Sequence, residues 1–251
     1  MTRGCYLTAA VSTVPSSPDW ARVWLVDLDA VAADESILTL TERARAGRFV
    51  FDRDRRRFVA ARGVLRTLLV QQAGAELPGD FDLGEEGKPF LPHPGAPSFN
   101  LSHSGKYALI AISETHEVGA DIEEFKPVGD LEALAEHHFT VRERSMWSSD
   151  GPDGSRLAFF LRGWTRKEAC LKALGAGLTI DTRTFEAELA AGVSRVRVPV
   201  PEGVTALRVA EVDVGPGLLA AVACVDRDTD ATGLPGRAAD SFVPVWGAVA
   251  G

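Results

Sequence analysis

Apolar residues recur along this chain with two different periods, and the switches between them outline its elements. Residues 20–30, WARVWLVDLDA, alternate apolar and polar and predict an opening strand through Val23, Leu25 and Leu28. The next stretch, Ser36 to Phe51, predicts a helix with Thr41-Glu42 near its start and Phe49, Val50 and Phe51 closing it. From Arg55 to Ala73, Phe58, Ala61, Leu65, Leu68 and Leu69 recur at three- and four-residue steps, with Arg57, Arg62 and Arg66 largely off that stripe; this predicts a second helix ended by Gly74.

The period then changes to two. Gly87-Lys88-Pro89 and His93 to Pro97 read as turns, and Ser98–Ser102 and Tyr107–Ser113 as a hairpin around Ser104-Gly105-Lys106. A third strand, Val118–Glu123, has Val118, Ala120 and Ile122 on one side and Gly119, Asp121 and Glu123 on the other. Asp130–His138 predicts a helix, Thr140 to Glu143 a capping box, Ser148–Ser155 a surface loop and Arg156–Leu174 a long helix. Three strands follow, at Val193–Val200, Ala206–Val212 and Leu218–Val225, and the residues from about Asp226 predict a loose tail. Strand, helices and hairpin thus occur twice. The expected division is an N-terminal half over residues 1–117, a C-terminal half over 118–226 and a tail over 227–251.

Composition changes this picture little. The chain has 251 residues, 45% hydrophobic and 25% charged, enough for one large domain or two small ones. Its longest apolar run, Leu218 to Val225, is far short of a membrane span, and Thr and Ser interrupt the apolar start, so no membrane role and a cytoplasmic location are expected. Cys5, Cys170 and Cys224 have no disulfide or zinc spacing; Cys170, flanked by Ala169 and Leu171, reads as a small buried hydrophobe.

Charge changes it more. The net charge of −8 argues against a nucleic-acid surface, yet nine arginines stand against three acids between Thr41 and Arg66, a local balance of +6. Such a patch suits a compact polyanion or a solvated helix face.

Asp121 and Glu123, two apart on a strand, project to one face, where their repulsion is relieved by a divalent cation or by plain exposure to solvent. Trp164, Glu168 and Lys172 share a helix face, and Glu168 with Lys172 also makes an ordinary helix-stabilising pair. His103 lies between Ser102 and Ser104, but neighbours on a strand face opposite ways, so a Ser/His nucleophile pair is disfavoured; His103 at a hairpin end could instead donate to a phosphate.

Four motifs, GKP at Gly87, FNLSHS at Phe99, GADIE at Gly119 and WTRKEACLK at Trp164, stand in the order and spacing of the signature motifs of the Sfp-type 4'-phosphopantetheinyl transferases, and the chain resembles that family over roughly residues 20–225. The resemblance implies an α+β fold of two similar α/β subdomains with antiparallel sheets related by a pseudo-twofold. It implies coenzyme A bound in the cleft between them, and transfer of its phosphopantetheine arm to a serine of an apo acyl or peptidyl carrier protein. It assigns Mg2+ to Asp121, Glu123 and Glu168, catalysis to Glu168 and Lys172, and coenzyme A contacts to Arg57, Lys88, Ser102, His103, Glu143, Lys167 and Lys172. A basic residue for the 3'-phosphate is open among Arg43, Arg45 and Arg48, and Ala120 stands where a larger aliphatic is usual. A monomer is expected, because one chain holds both halves of the cleft. Two other functions compete: a Mg-dependent nucleotide pyrophosphate hydrolase using the same acids, and a non-catalytic coenzyme A-binding module.

Overall fold

A computed structural model describes residues 10–73, 79–148, 153–189 and 192–226. Cys5, Gly74, residues 149–152 of the expected Ser148–Ser155 loop and the expected tail lie outside the described residues.

Strands β1 (Val11–Thr13), β2 (Arg22–Asp27), β5 (Ser98–Ser104) and β6 (Tyr107–Ser113) form one antiparallel sheet in the order β1-β2-β6-β5. Strands β7 (Val118–Glu124), β8 (Val193–Val200), β9 (Gly203–Glu211) and β10 (Leu218–Val225) form another, in the order β7-β10-β9-β8. A short pair, β3 (Asp82–Leu83) and β4 (Pro89–Phe90), precedes the β5–β6 hairpin. The fold is α+β with a sheet in each half. The hairpin turns at Gly105, whose φ of 54° suits glycine.

Each sheet has its own long helix. Helix α2 (Asp52–Ala73) lays Ala60, Ala61, Val64, Leu65, Leu68 and Leu69 on Val26, Phe99, Ala108 and Ile110 of the first sheet. Helix α5 (Asp153–Leu174) lays Ala169, Cys170 and Ala173 on Val196, Val198, Leu207 and Val209 of the second. The opposite faces of the two sheets meet through Val23, Leu109 and Ala111 against Val118, Ala120, Ile122 and Val222. Cys170 is fully buried, as its apolar flanks suggested, and burial pushes its thiol up to about 12. Helices α3 (Leu131–His138) and α4 (Val141–Ser148) pack Ala135, Phe139 and Trp147 against Leu157, Phe160 and Leu161 of α5.

Three expectations are corrected. The helix expected over Ser36–Phe51 is a 3-10 turn, Glu35–Ile37, followed by α1 (Leu40–Ala46). Extended Leu38 separates them, and Thr39 restarts the chain with a capping box to Glu42. Gly47 ends α1, so Phe49, Val50 and Phe51 lie outside it and are exposed. Arg66, read as off the apolar stripe, is buried: it donates to Glu42 at 2.7 Å and to the Gly79 carbonyl at 2.8 Å, and its guanidinium lies over Phe81.

Candidate active site

The site is built where β7 crosses α5. Strand alternation turns Val118, Ala120 and Ile122 into the core between the sheets and leaves Gly119, Asp121 and Glu123 toward the helix. A Cβ at Gly119 would stand 2.1 Å from the Ala169 carbonyl oxygen and 2.2 Å from the Ala173 nitrogen, so glycine is what lets the strand backbone lie on the helix backbone. Asp121 consequently faces the turn of α5 that carries Glu168 and Lys172.

Lys172 bridges the two elements. Its ammonium donates to Asp121 Oδ1 at 2.5 Å and lies 3.9 Å from Glu168 Oε2. Ser102 donates to the same Asp121 oxygen at 2.8 Å, and Ser104 donates to Glu123 Oε2 at 2.8 Å. Asp121 is 3% exposed, and its other oxygen, Oδ2, has no hydrogen-bond partner; neither has the buried Glu168 Oε1. Burial, reinforced by Asp121 and Glu123 against the opposing pull of Lys172, pushes the Glu168 carboxyl up to about 7. Burial and then Asp121 raise Glu123 as well. For Lys172 burial works against the charge, but Asp121, Glu168 and Glu123 outweigh it and hold the ammonium above its ordinary value.

These features fit a hard divalent cation. Two buried carboxylate oxygens, one from the strand and one from the helix, have no donor, and the cluster carries more negative charge than Lys172 balances. Among the described residues no three carboxylate, imidazole or thiol groups already converge as a metal cage; Lys172 reaches into the space between Asp121 and Glu168.

The remaining sequence-derived residues fall in three other places. Arg57 and His103 flank the tip of the β5–β6 hairpin: Arg57 donates to the Gly105 carbonyl at 3.0 Å and makes a two-pronged pair with Asp29, while His103 is exposed. His103 continues the face of β5 on which Phe99 and Leu101 pack toward α2, opposite to Ser102 and Ser104. Lys88 donates to Glu117 at 3.1 Å and to the Ala173 carbonyl at 3.0 Å, holding the last turn of α5 where the helix dipole is negative.

Lys167 and Glu143 are interior. Lys167 is 0% exposed and spends its three donors on the Thr182 and Phe185 carbonyls and on Glu143. Glu143 also accepts from the Thr140 and Ala187 nitrogens, completing the expected capping box and tying α4 to the 182–187 segment. The structure does not bring this pair to the carboxylate cluster; it is a buried clamp behind the site.

Ser104 was missed as a site residue. Its signal was present: Ser98, Asn100, Ser102 and Ser104 alternate with Phe99, Leu101 and His103, giving one face of β5 an unbroken polar row.

Residues 117–216 match the family described as the 4'-phosphopantetheinyl transferase superfamily, and residues 23–115 match a 4'-phosphopantetheinyl transferase N-terminal family. The chain is 43% identical over 169 residues to the 4'-phosphopantetheinyl transferase HetI of Nostoc sp., covering 64% of this chain and 70% of that protein. It is 32% identical over 161 residues to an L-aminoadipate-semialdehyde dehydrogenase-phosphopantetheinyl transferase of Xenopus laevis, covering 59% of this chain and 53% of that one. A 4'-phosphopantetheinyl transferase of Bacillus subtilis is 29% identical over 163 residues, covering 64% and 70%. With the four motifs falling within the matched segments and the carboxylate cluster formed where two of them meet, the chain is an enzyme of the 4'-phosphopantetheinyl transferase superfamily.

Proposed function

We propose that this enzyme is of the Sfp type and transfers the 4'-phosphopantetheine arm of coenzyme A to a serine hydroxyl of an apo acyl or peptidyl carrier protein, releasing 3',5'-ADP with Mg2+ as cofactor. The observation that carries the reading is Asp121 and Glu168 brought together across Lys172, each with one buried carboxylate oxygen left without a donor. Asp121, Glu123 and Glu168 are the residues that would hold the ion. When bound, Mg2+ would neutralise pyrophosphate oxygens and ease departure of the nucleotide.

The chain's own groups divide the remaining work. Glu168, with its carboxyl at about 7, is the candidate acceptor for the proton of the attacking serine. The serine oxygen forms the new bond to phosphorus as the bond to 3',5'-ADP breaks, and the leaving phosphate carries away the electron pair. Lys172, held cationic by the surrounding carboxylates, faces the charge that grows on those oxygens. Arg57 and His103 at the hairpin tip supply donors for the nucleotide phosphates, and Lys88 fixes the helix turn beyond Lys172. The same reading takes the enzyme to be cytoplasmic, and to be a monomer because one chain provides both β5 and α5.

Glu168→Gln tests the assignment of roles. Transfer to an apo carrier protein should fall about a thousandfold while coenzyme A affinity, measured by calorimetry, changes little. Transfer at the wild-type rate would remove Glu168 from the mechanism. Release of 3',5'-ADP by the wild type at full rate without any carrier would overturn the transferase reading in favour of hydrolysis.

A further inference from the structure

β5 and β7 are edge strands of different sheets, and they lie side by side. An edge strand presents backbone N–H groups that need partners once buried. Here side chains provide them. The Val118 nitrogen donates to Ser98 Oγ at 3.2 Å, the Ala120 nitrogen to Asn100 Oδ1 at 3.0 Å and the Glu124 nitrogen to Ser104 Oγ at 3.1 Å. The sequence step is 20 residues at each of these rungs, so the two edges run parallel in one fixed register. Two further bonds reach past the backbone to the carboxylates, Ser102 to Asp121 and Ser104 to Glu123.

A hydroxyl has one proton to donate. Ser102 and Ser104 are buried, and each spends that proton on a carboxylate oxygen, so neither can donate to a coenzyme A phosphate without releasing its acid. The oxygen each serine takes leaves the other oxygen of the same carboxylate for the site: Ser102 and Lys172 occupy Asp121 Oδ1, and Oδ2 is the buried atom without a donor. Ser104 does two things at once, since it also receives the backbone of Glu124.

We infer that Ser102 and Ser104 are positioning residues for the metal-holding carboxylates, and that the polar row on β5 sets the register of β7 so that Asp121 and Glu123 stand opposite α5. The inference deepens the proposed function and rests on its metal site. Ser104 gives the clearer test, because Ser102 is also tied to the Lys172 ammonium.

Ser104→Thr and Ser104→Val have nearly the same shape and differ in the hydroxyl. Calorimetric titration with MgCl2 alone should show binding weakened about tenfold or more in the valine variant and largely kept in the threonine variant. In transfer assays the valine variant should need correspondingly more Mg2+ and lose kcat, with KM for coenzyme A little changed. Ser98→Ala, which removes one rung of the row, should lower the melting temperature. Equal Mg2+ affinity in the threonine and valine variants would overturn the inference, as would a loss confined to KM for coenzyme A. Failure of the wild type itself to bind Mg2+ would count against the metal site beneath it.

Discussion

At Glu168 burial and like charge act in the same direction, and the consequence reaches stability as well as chemistry. Its carboxyl sits at about 7 against an ordinary 4.5, so the folded chain holds a proton there that the unfolded chain has already released. Between those values the folded state binds more protons, and stability falls as pH rises through the window, by about 3 kcal/mol at most. Glu123 is raised too and adds to the same trend. With a chelator present, the melting temperature should therefore drop from pH 5 to pH 8, and added Mg2+ should raise it much more at pH 8 than at pH 5. A Mg2+ effect equal at both values would contradict the charge assignment. Strand and helix periodicity made these acids legible, because alternation alone puts Asp121 and Glu123 on one face and a four-residue step aligns Glu168 with Lys172. Lys167 and Glu143 were not legible in that way. Charged residues usually sit outside, and only the fold reveals carbonyls at Thr182 and Phe185 waiting to satisfy a buried ammonium.

Elements were easier to read than their ends. The hairpin strand Tyr107–Ser113 and the strands Val193–Val200 and Leu218–Val225 have the expected limits, since a run of alternating or apolar residues bounded by turn residues leaves little freedom. The first helical stretch was misjudged because local capping at Thr39 outweighed a continuous-looking pattern. What no periodicity reports is how closely two elements approach. Gly119 carries the contact between β7 and α5, and Gly119→Ala would place a methyl group against the backbone of Ala169 and Ala173. The substitution should cost about 3 kcal/mol in urea unfolding and depress transfer by moving Asp121 away from Lys172. Unchanged stability and unchanged rate would show that the two backbones separate freely.

Across the whole molecule, two sheets share an apolar interface and their neighbouring edges are joined by polar side chains, so the carboxylates lie on the seam between the halves. That seam is tertiary in origin: residues about 20 apart are brought into register by the hairpin between them, and sequence showed only that a polar row existed. The arginine-rich stretch was visible as charge, but much of it serves the fold. Arg43 binds the Leu38 carbonyl, Arg55 pairs with Glu35, Arg57 with Asp29 and Arg66 with Glu42. The patch is thus a less uniform phosphate surface than its +6 balance suggested.

The most direct test of the account is intact-mass spectrometry of an apo carrier protein incubated with this enzyme, coenzyme A and Mg2+, alongside a sample containing a chelator. The account predicts that the carrier gains the mass of one phosphopantetheine group and that the gain is lost with the chelator. No gain on either acyl or peptidyl carriers while coenzyme A remains bound would contradict it and leave a coenzyme A-binding module in its place.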